Sequence, residues 1–264
     1  MDPVILFIAI ISSYLIGSIS FGKIFMRIFK PEETLDDLEI KLDDRPEGYK
    51  LMSVGGNTVS MKLGAKGGCA VGLLDILKSF VPPLVFRILY PDQPYFIIAA
   101  LAAFIGHNWP IYYRFKGGRG ISSFYGGMFA IDPLGAVVVA SASMILGLFI
   151  LKQVIVAFMG GVFLVIFWFL VTKFTDPLFW YYMGYAVLVN ILFITAMLPE
   201  IRQDREMTKK YGRVDPSMAL ETFPMGKHML RLMKLLKLDK KTIQINKNDT
   251  LKNDVKPAPE SSKE

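Results

Sequence analysis

Long apolar runs constrain this chain more than any other feature. Stretches at 3–28, 67–90, 94–113, 133–151, 153–172 and 177–198 carry few charges. A helix rises 1.5 Å per residue, so each is about long enough to cross a hydrocarbon layer ~30 Å thick. A seventh stretch, 120–131, is apolar but short, and Asp132-Pro133 punctuates it. The runs are far longer than barrel strands and do not alternate, so helices are the spanning form. The expected fold class is all-α, a polytopic membrane protein. Hydrophobic residues make up 53% of the chain and the mean hydropathy is +0.41, which agrees.

Charge placement fixes how many times the chain crosses. Residues 30–66 hold six Lys/Arg, 114–119 hold three, and the tail after Leu198 holds fifteen. The positive-inside rule places all three regions in the cytoplasm. Six crossings cannot put both the 30–66 segment and the tail there. Seven can, with 120–131 as a short fourth span, the N-terminus outside and the C-terminus cytoplasmic. The net charge of +7 sits beside the spans, so anionic membrane lipids, not nucleic acid, are the expected partners. The apolar stretch after Met1-Asp2-Pro3 has no basic leader and reads as a retained span. Cys69 is the one cysteine, which excludes an intrachain disulfide; it reads as a small buried hydrophobe.

Three regions are expected. Residues 1–200 form the membrane domain, with an acidic cytoplasmic excursion at 31–50 that holds at most one short helix. Residues 201–245 form a basic amphipathic cytoplasmic tail, with a helix at 226–238 lying on the leaflet or packing against the bundle. Residues 246–264 have little to bury and are expected to be disordered.

The stretch Gly106-His107-Asn108-Trp109-Pro110-Ile111-Tyr112-Tyr113-Arg114-Phe115-Lys116-Gly117-Gly118-Arg119-Gly120 carries the chemistry. Arg114, Lys116 and Arg119 interleave with Gly117, Gly118 and Gly120. Glycines let backbone N–H groups close around an anion, and the cations add full charges that suit phosphate oxygens. The residues therefore point to a phosphate-binding loop at a membrane surface.

Gly106-His107-x-x-Pro110 followed by Phe115-Lys116-Gly117-Gly118-Arg119-Gly120 resembles the second motif of the bacterial acyl-phosphate:glycerol-3-phosphate acyltransferases, the PlsY-type family. That motif runs G-H-x-x-P-x-x-x-x-F-K-G-G-K-G. Tyr14-Leu15-Ile16-Gly17-Ser18-Ile19-Ser20-Phe21-Gly22 resembles the family's first span. Leu74-Asp75-x-x-Lys78 resembles its L-D-x-x-K-G, with Ser79 in place of glycine. The resemblance covers about residues 4–200. It implies seven spans, no cofactor, and transfer of an acyl group from acyl phosphate to glycerol 3-phosphate, giving lysophosphatidate. Two departures mark a divergent member. The first motif, Ser53-Val54-Gly55-Gly56-Asn57-Thr58-Val59-Ser60-Met61-Lys62-Leu63-Gly64, has Met61 at the arginine position. The third motif is not recognisable near Leu198-Pro199-Glu200-Ile201-Arg202-Gln203.

An acyl phosphate is already activated, so the protein must mainly position two phosphates and stabilise developing charge. Lys116 and Arg119 are expected as phosphate ligands, and Gly117, Gly118 and Gly120 as the cradle. His107 is either a general base or phosphate donor, or a structural hydrogen-bonder; Asn108 beside it is grouped with the substrate-binding residues. Ser122 and Ser123 cap the short helix or touch phosphate. Asn57 and Lys62 face a second phosphate, Lys62 in place of the missing arginine, and Ser53 replaces the motif's early serine. Asp75 and Lys78, three apart on one helix, pair as a functional or a structural bridge. No metal site is expected, because there is no Cys cluster and the two histidines lie far apart. Two other readings share these features: the same fold with another acceptor, and a non-catalytic organic-phosphate or lipid-phosphate binder or small transporter.

Overall fold

The structure, a computed structural model, describes residues 1–33, 35, 38–40, 48–51, 53–151 and 153–212. The expected helix at 226–238 and the disorder expected for 246–264 lie outside these residues. So does the middle of the acidic excursion. Its described parts are not helical: β1 (Glu39–Ile40) pairs antiparallel with β2 (Tyr49–Lys50).

Among the described residues, six helical stretches are long and apolar enough to cross a membrane, and Ile121–Ile131 is a shorter apolar helix. The chain is an integral, multi-pass membrane protein. The first stretch is not one helix. α1 (Pro3–Gly17) starts at Asp2, whose carboxylate accepts from Val4 N at 2.7 Å, with Pro3 in the first turn. It stops before Ser18, and α2 (Phe21–Phe29) begins after Ser20. The physical reason lies in Ser20. Its hydroxyl accepts the Lys23 amide, which in a continuous helix would bond the Ile19 carbonyl.

α3 (Gly56–Leu89) begins well before residue 67, where the apolar run starts. Thr58 supports this early start: its hydroxyl accepts from Gly55 N at 2.8 Å and bonds the Ser53 carbonyl at 3.0 Å. Gly64, at φ +73°, kinks the helix. Cys69 on this helix is exposed, contrary to the burial expected of it. Gly68 takes the tight contact with Gly56 and Ser60, and the next position turns about 100° away, to the surface.

α4 (Tyr95–Asn108), α5 (Ile121–Ile131), α6 (Pro133–Ile145), α7 (Val154–Thr172) and α8 (Phe179–Tyr211) complete the bundle. A single π-type turn, Leu146–Ile150, extends α6. α8 does not end near 198. It passes through Pro199 to Tyr211, so the boundary expected after residue 200 falls inside one helix. Proline removes one donor, and the polar turns beyond it are solvated and need no lipid-facing apolar side chains.

Paired ends give each helix a direction. α1 and α4 run the same way: Asp2 N donates to Tyr95 Oη at one end, and Tyr14 Oη donates to the Trp109 carbonyl at the other, 3.0 Å away. Gly106 allows them to touch, since a Cβ there would stand 2.3 Å from the Tyr14 carbonyl oxygen. α5 returns the chain toward the end where α1 and α4 began. Its eleven residues cover only about 16 Å. Asp132 then turns the chain back. It caps α6 by accepting from Gly135 N at 2.8 Å, accepts from Trp168 Nε1 at 3.0 Å, and pairs with Lys173 at 3.3 Å. Counting α5, the described residues traverse the bundle seven times. The core lies among α4, α5, α7 and α8, around Phe104, Phe124, Met128, Val165, Phe169 and Val189.

Candidate active site

One end of the bundle gathers the end of α1, the start of α3, the end of α4, the loop before α5, and the polar end of α8. The loop is tightly wound. Arg114 (φ +53°) and Phe115 (φ +60°) are both left-handed, unusual for residues with a Cβ. Two backbone bonds hold that turn: Phe115 N to Pro110 O at 3.0 Å and Lys116 N to Tyr113 O at 3.1 Å.

The glycines are dictated by what lies behind them. Gly118 N donates to the His107 carbonyl at 3.1 Å, and a Cβ on Gly118 would stand 2.2 Å from His107 Nε2. Gly120, at φ +84°, starts α5 against the Phe104 ring. The Gly117 carbonyl accepts from Val54 N at 3.1 Å. That bond ties the segment before α3 to the loop, so the first and second sequence motifs meet here.

A narrow cleft at this junction is lined by Ser18, Ser20, Val54, Lys78, His107 and Gly118, among others. Asp75 also reaches it. Asp75 and Lys78 pair at 2.7 Å with side chains 4% exposed, and Lys78 also donates to the Ile19 carbonyl. His107 and Asn108 are buried at the end of α4. The His107 ring is backed by Gly118 and borders the cleft.

Several residues expected to bind substrate are otherwise engaged. Arg119 is paired with Glu200 and donates to the Ala196 carbonyl, both on α8. Ser123 is buried and shares a 2.7 Å hydrogen bond with Ser79, joining α5 to α3. Lys62 lies 2.6 Å from one oxygen of Glu33, whose other oxygen is 2.8 Å from Lys30. These two lysines hold the Glu33 carboxyl well below the usual range, at about 2. Ser53 contributes its carbonyl to the Thr58 cap. The Gly118 amide is occupied by His107. Lys116 and Asn57 are exposed and Ser122 is half-buried, without a described side-chain bond. Neither Lys116 nor Arg119 lines the narrow cleft.

Sequence reasoning missed three parts of the site. Ser18 and Ser20 were visible as a Ser-Ile-Ser step between apolar runs, with Ser20 as a helix cap. Val54 had no signal of its own. Glu200 sat where no third motif was recognised, yet it meets the loop. The described end of the excursion is tied to α8. The Gln203 amide, oriented by its partners, donates to the Lys50 carbonyl at 3.0 Å and accepts from Lys50 N at 2.7 Å. Among the described residues there is no group of three His, Cys, Asp or Glu able to hold a metal ion.

Comparison with known proteins bears on the family of the chain. The chain is 40% identical over 136 residues to the glycerol-3-phosphate acyltransferase of Pelagibacter ubique, covering 51% of this chain and 63% of that protein. It is 38% identical over 130 residues to the enzyme of Halalkalibacterium halodurans, covering 48% and 57%. The matches thus span about three fifths of the curated relatives' length. The crystal structure of PlsY, an integral membrane glycerol 3-phosphate acyltransferase, in its glycerol 3-phosphate form superposes with a TM-score of 0.61 at 26% identity. It covers 81% of this chain and 98% of PlsY; the lysophosphatidic acid form gives a TM-score of 0.58. The family model for glycerol-3-phosphate acyltransferase matches residues 7–205, so the chain belongs to that family.

Proposed function

We propose that this protein transfers a fatty acyl group from acyl phosphate to glycerol 3-phosphate, forming lysophosphatidate at the cytoplasmic face of the membrane. The observation that carries the reading is the seating of the Gly117–Gly118 turn between Val54 and His107, at the end where four helices and the α1–α2 break converge. Such a turn fixes backbone and cations in advance around a phosphate. The cytoplasmic assignment follows from the Lys/Arg-rich 30–66 segment and the tail.

The reaction needs no side-chain nucleophile. The glycerol 3-phosphate hydroxyl oxygen forms a bond to the acyl carbon, and the bond from that carbon to the phosphate oxygen breaks. The released phosphate is itself a base near neutrality and takes up the hydroxyl proton. Lys116, exposed on the loop, supplies charge to a phosphate. Arg119 ties the loop to α8 through Glu200 and so holds the turn in place. His107 is a support beneath Gly118. Asn57, Ser122 and Lys62 stand at the rim, and the acyl chain lies between helices toward lipid.

The test is acyl transfer by purified protein in detergent, with palmitoyl phosphate and labelled glycerol 3-phosphate, scoring lysophosphatidate and phosphate. Wild type should form both, and Lys116→Ala should lose most of the turnover while unfolding at the wild-type temperature. Absence of product from folded wild type would sink the reading.

A further inference from the structure

Asp75 and Lys78 place two charges inside the membrane domain, and their neighbours connect them to both walls of the cleft. Ionisable groups at such depth are costly and mark a functional requirement. Lys78 Nζ donates to the Ile19 carbonyl, the acceptor that the break before α2 leaves without its helical donor. It also stands 5.8 Å over the Phe21 ring at the start of α2. Asp75 Oδ1 holds Lys78 at 2.7 Å and faces His107 Nδ1 at 3.8 Å. His107 in turn seats Gly118 through its carbonyl and its ring.

One chain of contacts therefore runs from the Ser18–Ser20 break through Lys78, Asp75 and His107 to the glycine turn. Lys78 is already engaged by a carboxylate and a carbonyl, which makes it a poor ligand for a substrate phosphate. We propose that the Asp75–Lys78 pair is a positioning device: it holds the α1–α2 break and the Gly117–Gly118 turn in register, and so sets the phosphate site without touching substrate. The proposal deepens the reading of this end of the bundle as a phosphate site.

The double variant Asp75→Asn/Lys78→Met removes both charges together, so neither is left uncompensated in the interior. It is compared with wild type by thermal unfolding in detergent and by KM and kcat for glycerol 3-phosphate. His107 is also read directly. Only two histidines are present, so in a His228→Gln background the imidazole ¹⁵N resonances belong to His107 alone. The expected result is unfolding near the wild-type temperature, a shifted His107 resonance, and a KM raised about tenfold, as misplacement of a binding group by a fraction of an ångström predicts. A purely structural pair would lower the active fraction and leave KM alone. A folded double variant with KM within twofold of wild type and an unshifted resonance overturns the proposal. If the double variant does not fold, Lys78→Arg keeps the charge and moves the donor; an unchanged KM and resonance there overturns it equally. Wild type without turnover would defeat the acyl-transfer reading, and the pair would then be judged by the glycerol 3-phosphate Kd and by the His107 resonance.

Discussion

Lys62 Nζ lies 2.6 Å from a carboxylate oxygen of Glu33, so the cation nearest to the missing motif arginine is already neutralised by its own chain. Both partners are partly exposed, and a surface pair of this kind is weak. Glu33→Gln should therefore lower the KM for glycerol 3-phosphate modestly, by about twofold to threefold. Steady-state kinetics at low ionic strength would show it. An unchanged or raised KM would mean that Lys62 takes no part in anion recognition.

The same carboxylate sets a pH expectation. Its folded value, about 2, lies below its ordinary value of 4.5. A depressed carboxyl stabilises the folded arrangement fully above the ordinary value, and that contribution fades as pH falls from 4.5 toward 2. The tether between α2 and α3 should thus be intact across the physiological range. A carboxyl ¹³C titration of Glu33 should show a midpoint near 2, and a midpoint at or above 4.5 would contradict the double pairing.

Gly118→Ala should be far more damaging than its size suggests. The added methyl would stand 2.2 Å from His107 Nε2, so the turn must move. Activity should fall by at least about tenfold, since displaced binding groups lose transition-state contacts steeply. Near-normal kcat/KM would show that the turn is not seated on His107.

Ser123→Ala separates interior structure from substrate contact. It leaves the buried Ser79 hydroxyl without its 2.7 Å partner, which should cost about 1 kcal/mol of stability. The KM for glycerol 3-phosphate should not change. A raised KM with unaltered unfolding would return Ser123 to the binding site.

At the opposite end, Asp132→Ala removes a cap and two side-chain bonds at once. Stability should drop by about 2 kcal/mol, because bonds to a charged group exceed neutral ones. Burial pushes the Asp132 carboxyl up, but the Gly135 amide, the Trp168 indole and Lys173 outweigh it and hold it below 3.8. That support is therefore complete above the ordinary value and is lost as pH falls below it. Unfolding of wild type and Asp132→Ala should converge in acid; a constant difference would contradict the charge-dependent clamp.

Much of this architecture was readable in advance. Apolar length located the spans, and charge parity required a seventh crossing that length alone would not have granted to Ile121–Ile131. The kinship was carried by the motif around Gly117–Gly118, with support from Tyr14–Gly22 and Leu74-Asp75-x-x-Lys78. What periodicity cannot register is competition for a single hydrogen bond. The break after Gly17 depends on the Ser20 hydroxyl taking the Lys23 amide, inside a run that reads as one long span. The continuation of α8 past Pro199 was hidden because its last turns are polar, which in sequence looks like a tail. Arg119 read as a bare phosphate ligand because its partner, Glu200, lies 81 positions away in a segment with no recognisable motif.

The side-by-side packing of α1 and α4 has a bearing on biogenesis. Gly17 and Gly106 make the two helices mutual partners at close range, yet the whole of α3 lies between them in the chain. During insertion α1 enters the bilayer before α4 has been made. Until α4 arrives, the α1 face around Gly17 can be covered only by lipid or by the earlier α3. The break after Gly17, which Lys78 later secures, is thus completed only when the first half of the protein is already in place.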